Sequence, residues 1–164
     1  MIYIEELTEK ISPNIQTELG RRLLRKGLEL EYGISELPEI YLGEFGKPFF
    51  KSYPEIFFNI SHCEKGVVCG ISNRPIGIDI ESIKPFDKDL AEYISTNYEF
   101  IRILKSPDPA IAFTVLWTEK ESYCKLTGKG LNTRKEIQDS LINNNSLFLT
   151  TINEAGGYVL TICQ

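Results

Sequence analysis

Isoleucine alternates with small or acidic residues along positions 76–81 of the chain. This period of two predicts a β-strand with isoleucine on one face and Gly77, Asp79 and Glu81 on the other. At about 3.3 Å per residue, the two carboxylates stand roughly 6.6 Å apart along the strand. Two interpretations remain open, because the acid pair could simply face water or could hold a cation.

Other short apolar runs predict strands at 2–4, 57–62, 67–72, 147–152 and 158–162. Pro75 stands where a strand begins, a position at which its missing N–H is tolerated. We therefore expect 66–71 and 76–80 to form a hairpin. Glycines at 156 and 157 predict a second hairpin at the end of the chain, and 143–145 is expected to turn.

Helical spacing of apolar residues predicts helices at 16–32, 90–104 and 110–126, with Gly33 capping the first. The first helix carries a basic cluster, for which a solvated face is the common outcome; its members are Arg21, Arg22, Arg25 and Lys26. Residues at every fourth position of the third helix share one face; they are Phe113, Trp117, Glu121 and Lys125.

Composition restricts the class of protein. With 164 residues, of which 42% are hydrophobic and 25% charged, a packed core is expected in one domain or two small halves. The net charge of −5 argues against a duplex nucleic-acid binder. No apolar run reaches the roughly 18 residues that cross a bilayer, and the early residues Glu5, Glu6 and Glu9 do not suit a secretory signal. We expect a cytoplasmic protein without membrane contact.

Several kinds of chemistry are disfavoured by the residues present. Four cysteines without CxxC spacing suit neither a zinc site nor a disulfide framework. The single histidine, His62, adjoins Ser61, and neighbouring side chains on a strand face opposite ways, so a hydrolase triad is not expected. Neither a GxxxxGK[ST] loop nor a GxGxxG motif after a strand occurs.

A set of carboxylates and lysines remains. Hard oxygen ligands from Asp79, Glu81 and Glu121 suit Mg²⁺, which also takes phosphate oxygens as ligands. Lys120 and Lys125 flank Glu121 and could neutralise charge during phosphoryl transfer. The alternative is that Glu121 and Lys125 form an ordinary surface ion pair four residues apart on a helix.

Four segments in order resemble the motifs of 4′-phosphopantetheinyl transferases of the broad-specificity, surfactin-synthetase-activating type. They are Gly–Lys–Pro at 46–48, Phe–Asn–Ile–Ser–His at 58–62, Ile–Gly–Ile–Asp–Ile–Glu at 76–81 and Trp–Thr–Glu–Lys–Glu–Ser–Tyr–Cys–Lys at 117–125, continued by Gly–Lys–Gly–Leu at 128–131. One such motif would be a weak signal, whereas the ordered set is specific.

The resemblance implies an α+β fold of two pseudo-symmetric halves, with coenzyme A bound between them. We expect a single compact unit whose halves lie at about 1–73 and 74–164. The chain is shorter than typical two-half members, mostly before Gly20, so the N-terminal half is expected to be shortened.

The resemblance also implies an enzyme, which moves 4′-phosphopantetheine from coenzyme A to a serine of an apo acyl or peptidyl carrier protein and releases 3′,5′-ADP. It implies that Asp79, Glu81 and Glu121 hold Mg²⁺ and that Lys125 touches the reacting phosphate.

Further residues acquire expected roles from the same resemblance. Lys47, Ser61 and His62 would contact coenzyme A, with Lys47 and His62 near its ribose phosphate. Arg25 would contact the nucleotide. Glu99 is the candidate base for the carrier serine, although it lies one position from the family's register; a metal-bound water is the alternative.

Two other functions remain open. The shortened N-terminal half suggests a non-catalytic relative that binds coenzyme A or a nucleotide. A different Mg²⁺-dependent phosphotransferase or nuclease is the weaker alternative. Lys84, Lys88 and the helix at 98–105 are candidates for the surface that receives an acidic carrier protein.

Overall fold

Eight strands and five helices are present in the part of the chain that the computed structural model describes, residues 1–130, 132–142 and 144–164. The strands are β1 (Ile2–Glu6), β2 (Ile40–Leu42), β3 (Pro48–Phe50), β4 (Phe57–Cys63), β5 (Gly66–Ser72), β6 (Gly77–Ser82), β7 (Phe148–Asn153) and β8 (Tyr158–Cys163). The helices are α1 (Pro13–Tyr32), α2 (Lys88–Ile94), α3 (Asn97–Leu104), α4 (Pro109–Thr127) and α5 (Arg134–Asp139). The expected α+β class is confirmed.

Two expectations concern positions outside these ranges. Leu131 is the last residue of the Gly–Lys–Gly–Leu motif, and Asn143 is the first residue of the predicted turn at 143–145. Both lie outside the described residues.

The first sheet has the antiparallel order β1-β5-β4 and is covered on one face by α1. The helix approaches closely at Gly20, where an added methyl group would contact Ile60 and Val67. Leu24 and Leu28 of α1 are fully buried in this core. The predicted helix and its Gly33 cap, which has a φ of 68°, are both present. This half of the core therefore follows directly from the apolar stripe of α1.

The second sheet has the antiparallel order β6-β8-β7, and α4 lies across it. The predicted terminal hairpin is present as β7 and β8. The isoleucine face of β6 packs on β5, where Ile76 and Ile78 lie close to Gly70. The face that carries Asp79 is covered by α4, so the acid pair does not stand on a strand face open to water.

Gly77 is the point of closest approach between β6 and α4. A methyl group at this position would overlap the Ser122 carbonyl oxygen and the backbone of Leu126. The absence of a side chain therefore lets the helix backbone lie directly on the strand.

The expected hairpin between β5 and β6 is wrong. β5 pairs with β4 and β1, whereas β6 pairs with β8, more than 70 residues later in the chain. The turn signal at 73–75 marks a place where the chain leaves one sheet and enters the next. Local turn residues do not distinguish such a crossing from a hairpin, because only tertiary packing selects the partner strand.

The single helix expected at 90–104 is also wrong, because α2 and α3 are separate helices. Ser95 and Thr96 lie between the two helices and have extended backbone. Thr96 forms a reciprocal capping box with Glu99. A similar box between Thr133 and Glu136 begins α5, which was not expected. Both boxes follow the Thr–x–x–Glu spacing that marks a helix N-terminus.

The boundary between the expected halves falls between β5 and β6, where the chain passes from the first sheet to the second. The division into pseudo-symmetric halves at 1–73 and 74–164 stays a prediction. Among the helices of the described ranges, none combines the length and the apolar character of a membrane-spanning segment.

We predict that Gly77→Ala destabilises the protein by about 3 kcal/mol, because the new methyl group meets helix backbone that cannot move independently. Urea denaturation followed by circular dichroism measures this change. Gly43→Ala is the matched control, since its methyl group would have no neighbour closer than 3.4 Å. Equal stability of the two variants would show that α4 does not rest on β6 as described.

Candidate functional site

A cavity of about 340 Å³ opens where β4, β6 and α4 meet. Six of the expected site residues line it, and they are Ser61, His62, Asp79, Glu81, Glu121 and Lys125. β4 and β6 contribute two each from short strands, and α4 contributes Glu121 and Lys125 from one face of the helix. Trp117, one turn earlier on that face, forms part of the wall. The expectation that these helix residues share a face is therefore met.

Asp79 and Lys125 form the central ion pair of this cavity. Lys125 Nζ lies 2.6 Å from Asp79 Oδ1 and 2.8 Å from Ser61 Oγ, and Ser61 Oγ donates to the same carboxylate oxygen at 2.8 Å. Asp79 is only 3% exposed. Its other oxygen, Oδ2, is buried and has no hydrogen-bond partner within the described residues. A buried carboxylate oxygen without a partner is costly and indicates that a further cation or donor belongs there.

The other two acids are held in an environment that disfavours their charge. Burial is the main cause that raises the pKa of the Glu81 carboxyl, followed by the negative charge of Asp79. Burial and then Asp79 likewise raise the pKa of Glu121, and Lys125 opposes this effect. Three carboxylates thus share a partly desolvated cavity with a single lysine, a distribution that additional positive charge would stabilise.

These three carboxylates are the expected ligands for Mg²⁺. Their chemistry fits, because Mg²⁺ prefers carboxylate oxygens and Asp79 Oδ2 is available. Nevertheless, no three acidic, histidine or cysteine side chains are grouped closely enough to hold a metal in the described part of the chain. The cation that contacts Asp79 in this arrangement is the Lys125 ammonium. The metal ligand set therefore stays a prediction.

A second cavity, of about 240 Å³, shares Glu121 and Lys125 with the first. It is also lined by Lys47, Lys129 and Asn59, so three lysines face one small space. Such a concentration of positive charge favours an anionic ligand. The two cavities adjoin at Glu121 and Lys125, so the carboxylates and the lysines line one continuous region.

Lys47 is positioned by backbone carbonyls of the second half of the chain. Its ammonium donates to the Leu126 carbonyl at 2.6 Å and to the Ile76 carbonyl at 3.3 Å. Burial lowers the pKa of this lysine. It thereby connects the loop before β3 to the end of α4 and to the residue before β6. Its expected contact with a ribose phosphate stays a prediction.

Lys120 and Glu99, both expected site residues, are not brought to this cavity. The Lys120 side chain is fully buried, and its ammonium contacts Glu99 Oε1 at 3.1 Å and the carbonyls of Ile137 and Gln138 at 3.0 Å. Glu99 Oε2 accepts the N–H of Thr96. Adjacent helix residues point about 100° apart, so Lys120 cannot share the direction of Glu121. The structure therefore brings neither side chain to the cavity, and the expected roles of phosphate contact and general base stay predictions without support from the geometry.

Arg25 is also remote from the acidic cluster. It is exposed on α1 and lines neither of the two cavities. The helix packs on the first sheet through its opposite face, which directs its basic residues outward. The structure thus supplies no support for the expected nucleotide contact.

Asn59 was missed by the sequence reasoning. Its side-chain oxygen accepts the N–H of Ile78 at 2.9 Å, and Ser61 Oγ lies 3.4 Å from the N–H of Ile80. These two residues stand on the same face of β4, two positions apart. The signal was the pair of polar residues at alternate positions of a predicted strand, and both of them are buried.

Comparison with known proteins identifies the family. Residues 75–163, over half of the chain, match the model of the 4′-phosphopantetheinyl transferase superfamily. The chain therefore belongs to this superfamily, as the motifs indicated.

Curated relatives agree with this assignment. A 4′-phosphopantetheinyl transferase of Bacillus subtilis is 35% identical over 120 residues, which are 71% of this chain and 54% of the relative. The transferase gsp of Aneurinibacillus migulanus is 42% identical over 116 residues, 69% of this chain and 48% of the relative. The transferase Sfp of Bacillus subtilis strain 168 is 29% identical over 163 residues, 90% and 73% of the two chains. The chain thus spans about half the length of the first two.

We predict that Glu121→Gln stabilises the protein at neutral pH in the presence of a chelator. Because the folded state raises the pKa of Glu121 above its usual 4.5, the folded protein binds this proton more tightly than the unfolded chain. The wild type accordingly loses stability as pH rises from below 4.5 through the folded pKa, and the variant does not lose this contribution. Urea denaturation from pH 4 to pH 8 should show a difference that grows with pH.

Glu136→Gln is the contrasting control. Hydrogen bonds from the backbone N–H groups of Asn132 and Thr133 lower the pKa of Glu136, so its contribution is present above the usual pKa and is lost as pH falls. This variant should be less stable at neutral pH, with a difference that disappears in acid. A pH-independent difference for Glu121→Gln would contradict the proposed electrostatic strain.

Proposed function

We propose that this protein transfers 4′-phosphopantetheine from coenzyme A to a serine hydroxyl of an apo acyl or peptidyl carrier protein. The observation that carries the proposal is the ion pair of Asp79 with Lys125, set between two further acids and a lysine-lined cavity. Family membership supports the same reaction. A diphosphate substrate requires positive charge on both sides of the bond that breaks, and this site provides lysines beside metal-type ligands.

The reaction exchanges the phosphoanhydride bond of the coenzyme A diphosphate for a phosphoester bond to the carrier serine. The carrier serine oxygen attacks the phosphorus that bears the pantetheine arm, and the bond from this phosphorus to the oxygen of the departing 3′,5′-ADP breaks. The serine proton is released as the new bond forms. Lys125 stabilises the charge that develops on the phosphoryl oxygens, because its ammonium is already held at the cavity by Asp79 and Ser61.

Asp79, Glu81 and Glu121 are proposed to hold Mg²⁺. When bound, this ion would neutralise charge on the diphosphate and orient it. The buried Oδ2 of Asp79 supports the assignment, as do the raised pKa values of the two glutamates. Ser61 and His62 are proposed contacts to coenzyme A from the rim of the same cavity, and Lys47 is retained as a contact from the adjoining one.

A cytoplasmic location is part of the proposal. All four cysteines are free thiols and three of them are buried, as suits a reducing compartment. The net charge of −5 supports partners other than nucleic acid.

A coenzyme A-binding protein without catalysis is the second candidate. One observation favours it: Lys125 occupies Asp79 Oδ1, an oxygen that a bound metal could use. Binding of coenzyme A without transfer to any carrier would support this candidate against the first.

We predict that incubation with coenzyme A, Mg²⁺ and a panel of apo carrier proteins adds the phosphopantetheine mass to one carrier serine, with release of 3′,5′-ADP. Asp79→Asn and Lys125→Met should each lower kcat about 100-fold or more, as loss of a charge-stabilising group does. Intact-protein mass spectrometry measures the transfer.

Lys135→Met is the matched control, because Lys135 is exposed on α5 and lines neither cavity. It should retain wild-type kcat. Full activity of Asp79→Asn would overturn the proposed metal site, and release of 3′,5′-ADP without a carrier would indicate a different phosphotransferase or nuclease.

The carrier is proposed to dock beside α3, near Lys84 and Lys88. The helix exposes Tyr98, Ile101 and Leu104, which are 71%, 50% and 45% accessible. A cavity of about 680 Å³ between α3, α4 and β7 adjoins them and is lined by Arg102 and Lys105. Glu99, Asp108 and Glu119 line the same cavity, so the proposed contact to an acidic partner rests on the exposed apolar face of α3 with Arg102, Lys105, Lys84 and Lys88.

We predict that Lys88→Glu and Lys105→Glu each raise the KM for the carrier about 10-fold at low salt while leaving the KM for coenzyme A unchanged, because the charge reversal repels an acidic partner. Steady-state kinetics with each substrate varied in turn measures both constants. Lys10→Glu is the control, since Lys10 is exposed and paired only with Glu64 at 3.3 Å. An equal increase for all three variants would argue against a docking surface at α3.

A further inference from the structure

The two sheets meet along β4 and β6, and side chains form the connection between them. Asn59 Oδ1 accepts the N–H of Ile78 at 2.9 Å, and Ser61 Oγ lies 3.4 Å from the N–H of Ile80. In both contacts the β6 residue lies nineteen positions after its partner in β4. Moving along one strand therefore moves the same way along the other, and the two strands run parallel. β6 pairs through its backbone with β8 on its other side. Side chains of β4 therefore satisfy edge N–H groups of β6 that would otherwise be unpaired.

We infer that Asn59 is a positioning residue, which holds β6 in the place that brings Asp79 to Lys125. Ile78 immediately precedes Asp79, and Asp79 Oδ1 lies only 2.6 Å from Lys125 Nζ. The Asn59 side chain is 5% exposed, so water cannot easily replace its hydrogen bond. Because a small displacement of β6 would separate the ion pair, the bond from Asn59 fixes the geometry of the site without touching substrate.

Lys47 acts at the same end of β6, two residues before the contact of Asn59. Its ammonium joins the Ile76 carbonyl to the Leu126 carbonyl, so the beginning of β6 is tied to the last turn of α4. Asn59 accepts the N–H of Ile78, two residues after Ile76. Lys47 thus ties the beginning of β6 to α4, and Asn59 ties the same part of the strand to β4.

A contact between Asn59 and ligand is the competing explanation, because Asn59 also lines the lysine-lined cavity. The two roles use different atoms of the amide. Positioning requires the side-chain oxygen that accepts from Ile78, whereas a contact to an anion requires the amide nitrogen as donor. Asn59→Asp retains an oxygen acceptor and removes the donor, and Asn59→Ala removes both.

The kinetic part of the test rests on the proposed transferase function. Asn59→Ala should lower kcat about 10-fold or more, with a change in the KM for coenzyme A below about threefold. Asn59→Asp adds a negative charge beside Glu121 in the lysine-lined cavity, so this variant is used for the exchange measurement and not for kcat. Asn73→Ala, at an exposed asparagine in the turn before β6, is the matched control and should behave as wild type.

Amide hydrogen exchange of the ligand-free protein, followed by NMR, tests the inference independently of activity. In Asn59→Ala the Ile78 amide should exchange about 10-fold faster or more, while the amides of β5 keep their protection. Asn59→Asp should keep Ile78 protected. If the wild type transfers nothing, the proposed function fails, but the exchange result still decides the role of Asn59.

Three outcomes would overturn the inference. One is unchanged protection of Ile78 in Asn59→Ala, and another is an increase in the KM for coenzyme A with kcat unaltered, which would make Asn59 a ligand contact. The third is loss of Ile78 protection in a folded Asn59→Asp. If Asn59→Ala does not fold, the Asn59→Asp result alone decides, because that variant separates acceptor from donor.

Discussion

The ion pair between Asp79 and Lys125 is the interaction on which the site depends. It joins β6 to α4 in a place where the carboxylate is nearly inaccessible to water, at 5% side-chain exposure. Breaking a buried pair of this kind by removing one partner costs about 3 to 5 kcal/mol, because the remaining charge is left without compensation. The second carboxylate oxygen of Asp79 has no hydrogen-bond partner within the described residues. Glu81 and Glu121 have raised pKa values and share the same lysine, Lys125. The pair thus holds β6 against α4 and leaves the cavity with three acidic side chains and one lysine.

The surrounding architecture makes this pair possible. Gly77 lets the α4 backbone lie directly on β6, and the hydroxyl contact of 2.7 Å between Thr118 and Thr161 extends the contact to β8. On the other side of β6, Asn59 and Ser61 satisfy backbone groups of the strand through their side chains. β6 is therefore fixed from two directions, and the residues that fix it come from both sheets.

Lys120 and Lys125 both lie on α4 but have different partners. Lys120 neighbours Glu121 in sequence, yet it is buried against Glu99 and two carbonyls of α5. Burial lowers the pKa of its ammonium, and Glu99 opposes that effect. The lysine thereby joins α3, α4 and α5 on the side of α4 away from the acidic cavity. Its position supports the helix that carries Glu121 and Lys125, and substrate has no access to it.

The sequence by itself determined the elements and the class of chemistry. Alternation in β6 and the four-residue spacing of α4 placed Asp79, Glu121 and Lys125 on the correct faces, because side-chain direction follows from local backbone geometry. Ordered motifs identified the family. Tertiary structure alone decided which strand pairs with β6, which lysine reaches the cavity and which polar residues of β4 hold the edge of the second sheet. These outcomes depend on contacts between residues far apart in the chain, and local pattern carries no information about such partners.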